Sequence, residues 1–359
     1  MLRHPPTRSR GRSTGPGPTR RGPTIVDVAR RAGVSKGAVS FALNDRPGVA
    51  PETRDRILAA AHELGWQPST RARALSRSRA FAVGLVMRRA PELLGADPWF
   101  PQFLAGVEST LAERGSALVL QVVGDDDEAE ASSYRRLAGQ GRVDGVFLND
   151  MLVDDHRFDL LAGLGLPAVA VGRPVGPCPF PIVTVDDRQG VAATVEHLLG
   201  LGHRRIAFVG GTTGYVHSLS RRTAWRQVLA AAGIAPGPEL VADFTGPGGA
   251  AATGALLGLA DPPTAIVYAN DVMAIAGMGV AIGRGLAVPG DLSVVGFDDV
   301  PLAAHVAPAL TTVRQDALAW GRAAAEVLLA VSEGRPAGDV ELPAATPVFR
   351  ASTGPPNPA

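Results

Sequence analysis

From residue 81 onward the chain alternates short Val/Ile/Leu-rich runs with stretches of helical period, and this alternation decides most of what it can fold into. The apolar runs predict strands at 81–87, 117–123, 143–148 and 168–171, then a second set at 182–185, 205–209, 239–244, 265–267 and 293–297. Helices fit between them at about 99–114, 129–141, 155–164, 188–201, 218–232, 250–259 and 271–284. Strands that are apolar along their whole length and alternate with helices belong to parallel sheets covered on both faces. Two such sets imply an α/β body of two doubly wound parallel-sheet lobes with a ligand cleft between them. In such sheets ligands bind beyond the carboxyl ends of the strands.

Upstream of this body the chain changes character. Residues 1–79 carry 16 Lys and Arg against 5 Asp and Glu, and the remainder carries 19 against 29, so a formal net charge of +1 hides a cationic head on an acidic body. Such a head calls for a polyanion, with nucleic acid ahead of a lipid surface. Residues 1–23 are rich in Arg, Gly, Pro, Ser and Thr, contain no acid, and read as a disordered basic arm rather than a secretory signal. Cys178 is the single cysteine, which excludes an internal disulfide and fits a reducing, cytoplasmic setting. No run approaches the ~18 apolar residues of a membrane span.

Order is expected to begin at Thr24. Thr24-Ile25-Val26-Asp27 has the form of a capping box, and the helix it opens stops at Gly33. Ser35 then caps a second helix over 36–43, with Val39 and Leu43 turned inward. Ala29, Gly33 and Val39 have the helix-turn-helix spacing: a small residue where helices touch, a Gly for the left-handed turn, an apolar lock. A third helix is predicted over 51–64, with Ile57, Leu58, Ala61 and Leu64 inward and Pro51 in its first turn. The segment 69–76 has helical residues but almost no apolar face, so it needs DNA to fold on. Arg71 and Arg73 would then meet phosphates and Leu75 would insert. A plain basic linker is the competing reading.

Residues 24–86 resemble the head and hinge of the LacI/GalR family of bacterial regulators, through Ile25-Val26-Asp27-Val28-Ala29, Ala32-Gly33-Val34-Ser35, Val39-Ser40, Asn44, Thr53-Arg54, Ala72 and Leu75. The resemblance implies an all-α helix-turn-helix head whose second helix enters the major groove of double-stranded DNA. It also implies paired hinge leucines wedged into the minor groove at the centre of a palindromic operator. Lys36, Gly37 and Phe41 then face bases, Ser35 and Ser40 phosphates, and Thr24 and Asn44 join the DNA contacts, with Leu75 as the wedge. Two positions depart from the family pattern. Gly37 replaces a polar reader and weakens the helix by up to ~1 kcal/mol. Phe41 stands where Arg is frequent, which exchanges guanine readout for contact with a thymine methyl.

The body is similar to the family's effector domain, itself related to sugar-binding periplasmic proteins. Asp97-Pro98-Trp99-Phe100, Arg221, Phe244, Asn270-Asp271, Gly296-Phe297-Asp298-Asp299 and the run 310–315 carry that likeness. The strand-end rule independently selects Trp99, Phe100, Arg173, Asn270, Asp271, Asp298 and Asp299. Gly172 stands where the family often has a polar group. Carboxylates, an amide, the Arg221 fork and aromatic faces suit a polyhydroxylated small-molecule effector such as a sugar. Plainer readings stand beside these: Asp271 and Ser218 as helix caps, Asp298 and Asp299 as turn residues, Trp99 and Phe100 as core. The acidic run 125–128 reads as a solvated helix start rather than a metal site.

The expected layout is therefore a basic arm (1–23), a helix-turn-helix domain (24–68), a hinge (69–80), an effector-binding and dimerisation domain (81–350) and a tail (351–359). Lobe 1 is assigned about 81–180 plus 311–335, and lobe 2 about 181–310 plus 336–350. The function expected is a homodimeric, sequence-specific DNA-binding regulator, a repressor under effector control, with no cofactor, no metal, no membrane and no catalysis. The glycine-rich run 210–214 is neither a P-loop nor a dinucleotide fingerprint. Two alternatives remain open: a sugar-acting hydrolase or isomerase with a basic tail, and a DNA-binding protein whose body only dimerises.

Overall fold

The computed structural model describes residues 23–43, 47–66, 79–89, 95 and 97–357. Residues 1–22 of the basic arm, Asn44, Arg71, Arg73 and Leu75 lie outside the described residues. The chain divides into two compact units, with the boundary between residues 79 and 80.

In the first unit, helices α1 (Ile25–Ala32), α2 (Lys36–Leu43) and α3 (Pro51–Glu63) enclose Val28, Ala29, Val39, Ala42, Ile57 and Ala61. The Asp27 carboxylate accepts from the Thr24 N–H (2.9 Å) and O–H (2.7 Å), which fixes the start of α1. Gly33 ends it at φ 67°, in the left-handed region, and the Val34 N–H closes back on the Ala29 carbonyl at 3.0 Å. Leu58, expected inward, is 46% exposed. The buried stripe of α3 is Ile57, Ala60 and Ala61, spaced three and four residues apart, and residue 58 lies about 100° around the helix from 57.

The second unit holds two sheets. All neighbours in the first are parallel, in the order β2 (Ala117–Val123), β1 (Ala82–Arg88), β3 (Val146–Leu148), β4 (Ala168–Val171), β5 (Ile182–Thr184) and β11 (Val340–Glu341). The second runs β7 (Glu239–Val241), β6 (Ile206–Gly210), β8 (Ala265–Tyr268) and β9 (Ser293–Val295). Parallel bridges from Val295 to Thr311 and from Asp298 to Arg314 connect it to β10 (Thr312–Arg314), which pairs antiparallel with β12 (Thr346–Val348). Three assignments need correction. The runs 182–184 and 340–341, expected in lobe 2, pair in the sheet of lobe 1, whereas 311–314, expected in lobe 1, bridges to the sheet of lobe 2 and pairs with β12. Parallel partners need long crossovers, so three apolar residues in sequence say nothing about which sheet receives them.

The covering helices of lobe 1 are α4 (Trp99–Glu113), α5 (Asp127–Gly139), α6 (Arg157–Leu164) and α11 (Ala317–Ser332); those of lobe 2 are α7 (Arg188–Gly200), α8 (Val216–Ala231), α9 (Gly246–Leu256) and α10 (Asp271–Gly283). Helices α4 and α11 touch through Gly106 and Gly321: a methyl on the first would strike the Leu318 carbonyl, and one on the second the Phe103 carbonyl. The chain crosses between lobes after β5, after β10 and after β11. A fourth link is non-covalent. The Val153 N–H donates to the Gly214 carbonyl (2.9 Å) and the Val216 N–H to the Met151 carbonyl (2.8 Å), an antiparallel stitch between the lobes.

Candidate functional site

The strand ends of both lobes face a shared cavity of about 320 Å³. From lobe 1, Arg89 follows β1 directly. Its guanidinium donates twice to Asp150 (2.8 and 2.6 Å), lies 3.9 Å from Asp97, and sits over the rings of Phe100 (4.7 Å), Tyr215 (5.4 Å) and Phe244 (5.6 Å). Asp150 itself, with φ 48°, belongs to a loop fastened from below. Arg157 donates to Asp155 (2.7 and 2.6 Å), to Glu130 (3.1 Å) and to the Asp150 carbonyl (3.0 Å), while Asp155 also accepts the Leu152 N–H (3.1 Å). Arg157, Glu130 and Asp155 are nearly solvent-free, and the paired guanidiniums hold Asp150 and Asp155 below the usual carboxylate range despite burial. Trp99 stacks on Phe103 (5.1 Å) and meets Trp320 edge-on (5.6 Å) at the cavity wall.

From lobe 2, Arg221 on α8 lies 3.6 Å above the Phe297 ring, donates to the Ala269 carbonyl (2.6 Å) and pairs with Asp187 (3.3 Å). Ser220 donates to the other Asp187 oxygen at 2.6 Å. Phe244, at φ 64°, packs its ring where a side chain on Gly211 would stand. Asp298, at φ 112°, accepts from Gln315 Nε2 at 2.6 Å, and burial drives its carboxyl well above the ordinary range. His217 stacks between Tyr215 (5.4 Å, 13°) and Phe244 (5.3 Å, 41°); burial, then Arg221, pushes its imidazole down to about 3.

Of the residues selected from sequence, Trp99, Phe100, Arg173, Arg221, Phe244, Asn270 and Asp298 line this cavity together. Asn270 is spent on structure as well, donating to the Phe244 carbonyl (3.0 Å) and capping α10 through the Met273 N–H (3.0 Å). Asp271 does not line it. Fully buried, it accepts from Thr312 Oγ1 (2.5 Å) and the Val300 N–H (2.8 Å) and stands one residue inside α10, whose cap is Asn270. Neither the ligand-contact reading nor the helix-cap reading holds: Asp271 ties α10 to β10 and to the turn at Val300. Gly172 has φ 116°, a backbone state that excludes the polar side chain otherwise expected there. Sequence reasoning missed Arg89, Asn149, Asp150, Asp187, His217, Gln315 and Trp320. The first three directly follow strands, so the strand-end rule applied to every strand finds them.

On the head, Lys36, Gly37 and Phe41 lie exposed on α2 while Val39 and Ala42 point into the core; Phe41 is 42% exposed. Ser40 is half-buried. Ser35 Oγ accepts the Ala38 N–H (3.1 Å), so it caps α2, as Thr24 is engaged with Asp27 at α1.

Residues 24–69 match the description "Bacterial regulatory proteins, lacI family", and residues 195–353 match "Periplasmic binding protein-like domain". The HTH-type transcriptional regulator CelR of Thermobifida fusca is 37% identical over 315 residues, covering 86% of this chain and 92% of the relative. The chain belongs to the lacI family of bacterial regulatory proteins. Among solved structures, a CelR–cellobiose complex matches with TM-score 0.70 at 34% identity, over 92% of this chain and 99% of the other. The lac repressor dimer bound to operator and the anti-inducer ONPF matches with TM-score 0.81 at 30% identity, over 93% and 100%. This lacI-family chain is a DNA-binding transcriptional regulator, and the hydrolase or isomerase alternative is set aside. Among the described residues no helix is long and apolar enough to cross a membrane.

Proposed function

We propose that this regulator is a cytoplasmic, homodimeric repressor that grips a palindromic operator through α2 and the 69–80 hinge. A sugar in the interlobe cleft sets the strength of that grip. The observation that carries the reading is the cleft itself. A cavity of about 320 Å³ joins aromatic rings (Trp99, Phe244) to side chains able to exchange hydrogen bonds with hydroxyls (Asn149, Arg221, Asp298), in one chain with a helix-turn-helix head. Lys36, Gly37 and Phe41 take the base-facing role and Ser35 and Ser40 the phosphates, with Arg71, Arg73 and Leu75 of the hinge completing the contacts. The names of the relatives support the reading, since one solved relative holds cellobiose and another an operator. A coupling of ~1–3 kcal/mol between the two sites makes a useful switch.

The test is a thermal-shift screen of sugars on the full chain, followed by binding to a duplex selected from random sequence, with and without each hit. At least one sugar should raise the melting temperature and change operator affinity several-fold. A duplex that is bound tightly and unaffected by every sugar that stabilises the protein would leave only the constitutive DNA-binding alternative. Leu75→Ala should weaken specific binding far more than non-specific binding; an equal loss would remove the wedge.

A further inference from the structure

The charges in the cleft narrow the ligand beyond its being a sugar. Four arginines reach the cavity wall, and each has a carboxylate of its own: Arg89 with Asp150, Arg221 with Asp187, Arg188 with Asp186 and Arg173 with Glu341, at 2.6, 3.3, 3.4 and 2.8 Å. Two cavity-lining acids are left over. Asp97 accepts the Trp99 N–H (3.1 Å) and has for a cation only the distant edge of the already paired Arg89 (3.9 Å), and Asp298 accepts from Gln315. His217 supplies no positive charge, because its enclosure between two aromatic rings and the field of Arg221 keep the imidazole neutral. No cation in the wall is therefore without its counter-charge.

A phosphate or carboxylate brought against this wall finds no unpaired cation to offset its desolvation. Burial holds the carboxyls of Asp97 and Asp298 toward their neutral forms, so the wall is already balanced without it. A hydroxyl carries no charge and both donates and accepts, which suits the Arg221, Asn149 and Asp298 side chains on the same wall. The cavity also lies at the small end of the ~300–1,000 Å³ usual for small-molecule sites, which suits one or two sugar rings.

Resting on the carbohydrate reading above, we infer that the effector is an uncharged mono- or disaccharide, and that the cleft rejects sugar phosphates and sugar acids. The test is a matched-pair titration of the full chain by calorimetry. Glucose, maltose, cellobiose, sucrose and trehalose are each compared with the phosphate ester of a primary hydroxyl, and adenosine is compared with AMP. In any pair that binds, the ester should be at least about tenfold weaker. Asp187→Asn, which leaves Arg221 in excess, should narrow that ratio. A sugar ester that binds as tightly as its parent overturns the inference and leaves the carbohydrate reading standing. Heat from AMP with none from any sugar overturns both. Heat from adenosine alone removes the carbohydrate reading and supports the selection against charge.

Discussion

The two walls of the cleft are held in place by different means. In lobe 2 the main chain holds two of the site's side chains, Arg221 through the Ala269 carbonyl, beside its pair with Asp187, and Asn270 through the Phe244 carbonyl and the Met273 N–H. In lobe 1 they are tied to one another by charge, Arg89 to Asp150 above and Arg157 to Asp155 and Glu130 below. A backbone partner cannot be substituted or protonated away, whereas a carboxylate can. The lobe 2 wall is therefore fixed by the fold, and the lobe 1 wall by a balance of buried charge that a single substitution upsets.

The largest test of that contrast is Arg157→Met. It strands Glu130 and Asp155 in the interior and should cost about 3–5 kcal/mol of stability in urea unfolding. Ligand affinity should fall with it, since the loop carrying Asp150 loses its anchor. An unchanged midpoint would mean that the network does not support this wall.

Next in size is the pH response of Asp271. Burial raises its carboxyl to about 7, so the folded chain keeps a proton that the unfolded chain releases near pH ~4. More protons are bound folded than unfolded in that window. Stability from this group is thus full below pH ~4, falls by at most about 1.4 kcal/mol per unit as pH rises, and is gone above about 7. Asp271→Asn, neutral throughout, should flatten the melting temperature across this range; an undiminished slope would assign the titration to another group.

Arg221→Lys removes the fork and the stack on Phe297, at ~1.5–3 kcal/mol of ligand binding, or ~10–100-fold, with little change in melting. Calorimetry that finds wild-type affinity would take Arg221 out of the site. The smallest effect is His217→Phe, which preserves the aromatic stack and removes the ring nitrogens. Loss of one neutral hydrogen bond, ~0.5–1.5 kcal/mol, should weaken the sugar a few-fold in the same titration.

Much of this architecture was legible in residue order. Strands β2 and β4 fall where their apolar runs end, and the caps of α1 and α2 lie where Thr24 and Ser35 put them. Lobe membership of β5 and β11 was not, because pairing depends on crossings that local pattern does not encode. Helix α11 was also missed, although its apolar residues are as one-sided as those of α4 and nine of its residues are buried, with Trp320, Ala324 and Leu328 recurring at helical spacing. In the site, Arg221, Phe244 and Asp298 were found, whereas His217 and Trp320 were not, since only the packing of Tyr215, Phe244 and Trp99 around them gives those two a role.

The glycine contact between α4 and α11 has a mechanical consequence. Side chains that interdigitate can swap rotamers and let helices slip, but at Gly106 and Gly321 backbone presses on backbone with no side chain between to rearrange. The pair behaves as a weld. Whatever tug a ligand exerts through Trp99 on one helix or Trp320 on the other is shared by both helices and turns them together about the three chain crossings between the lobes.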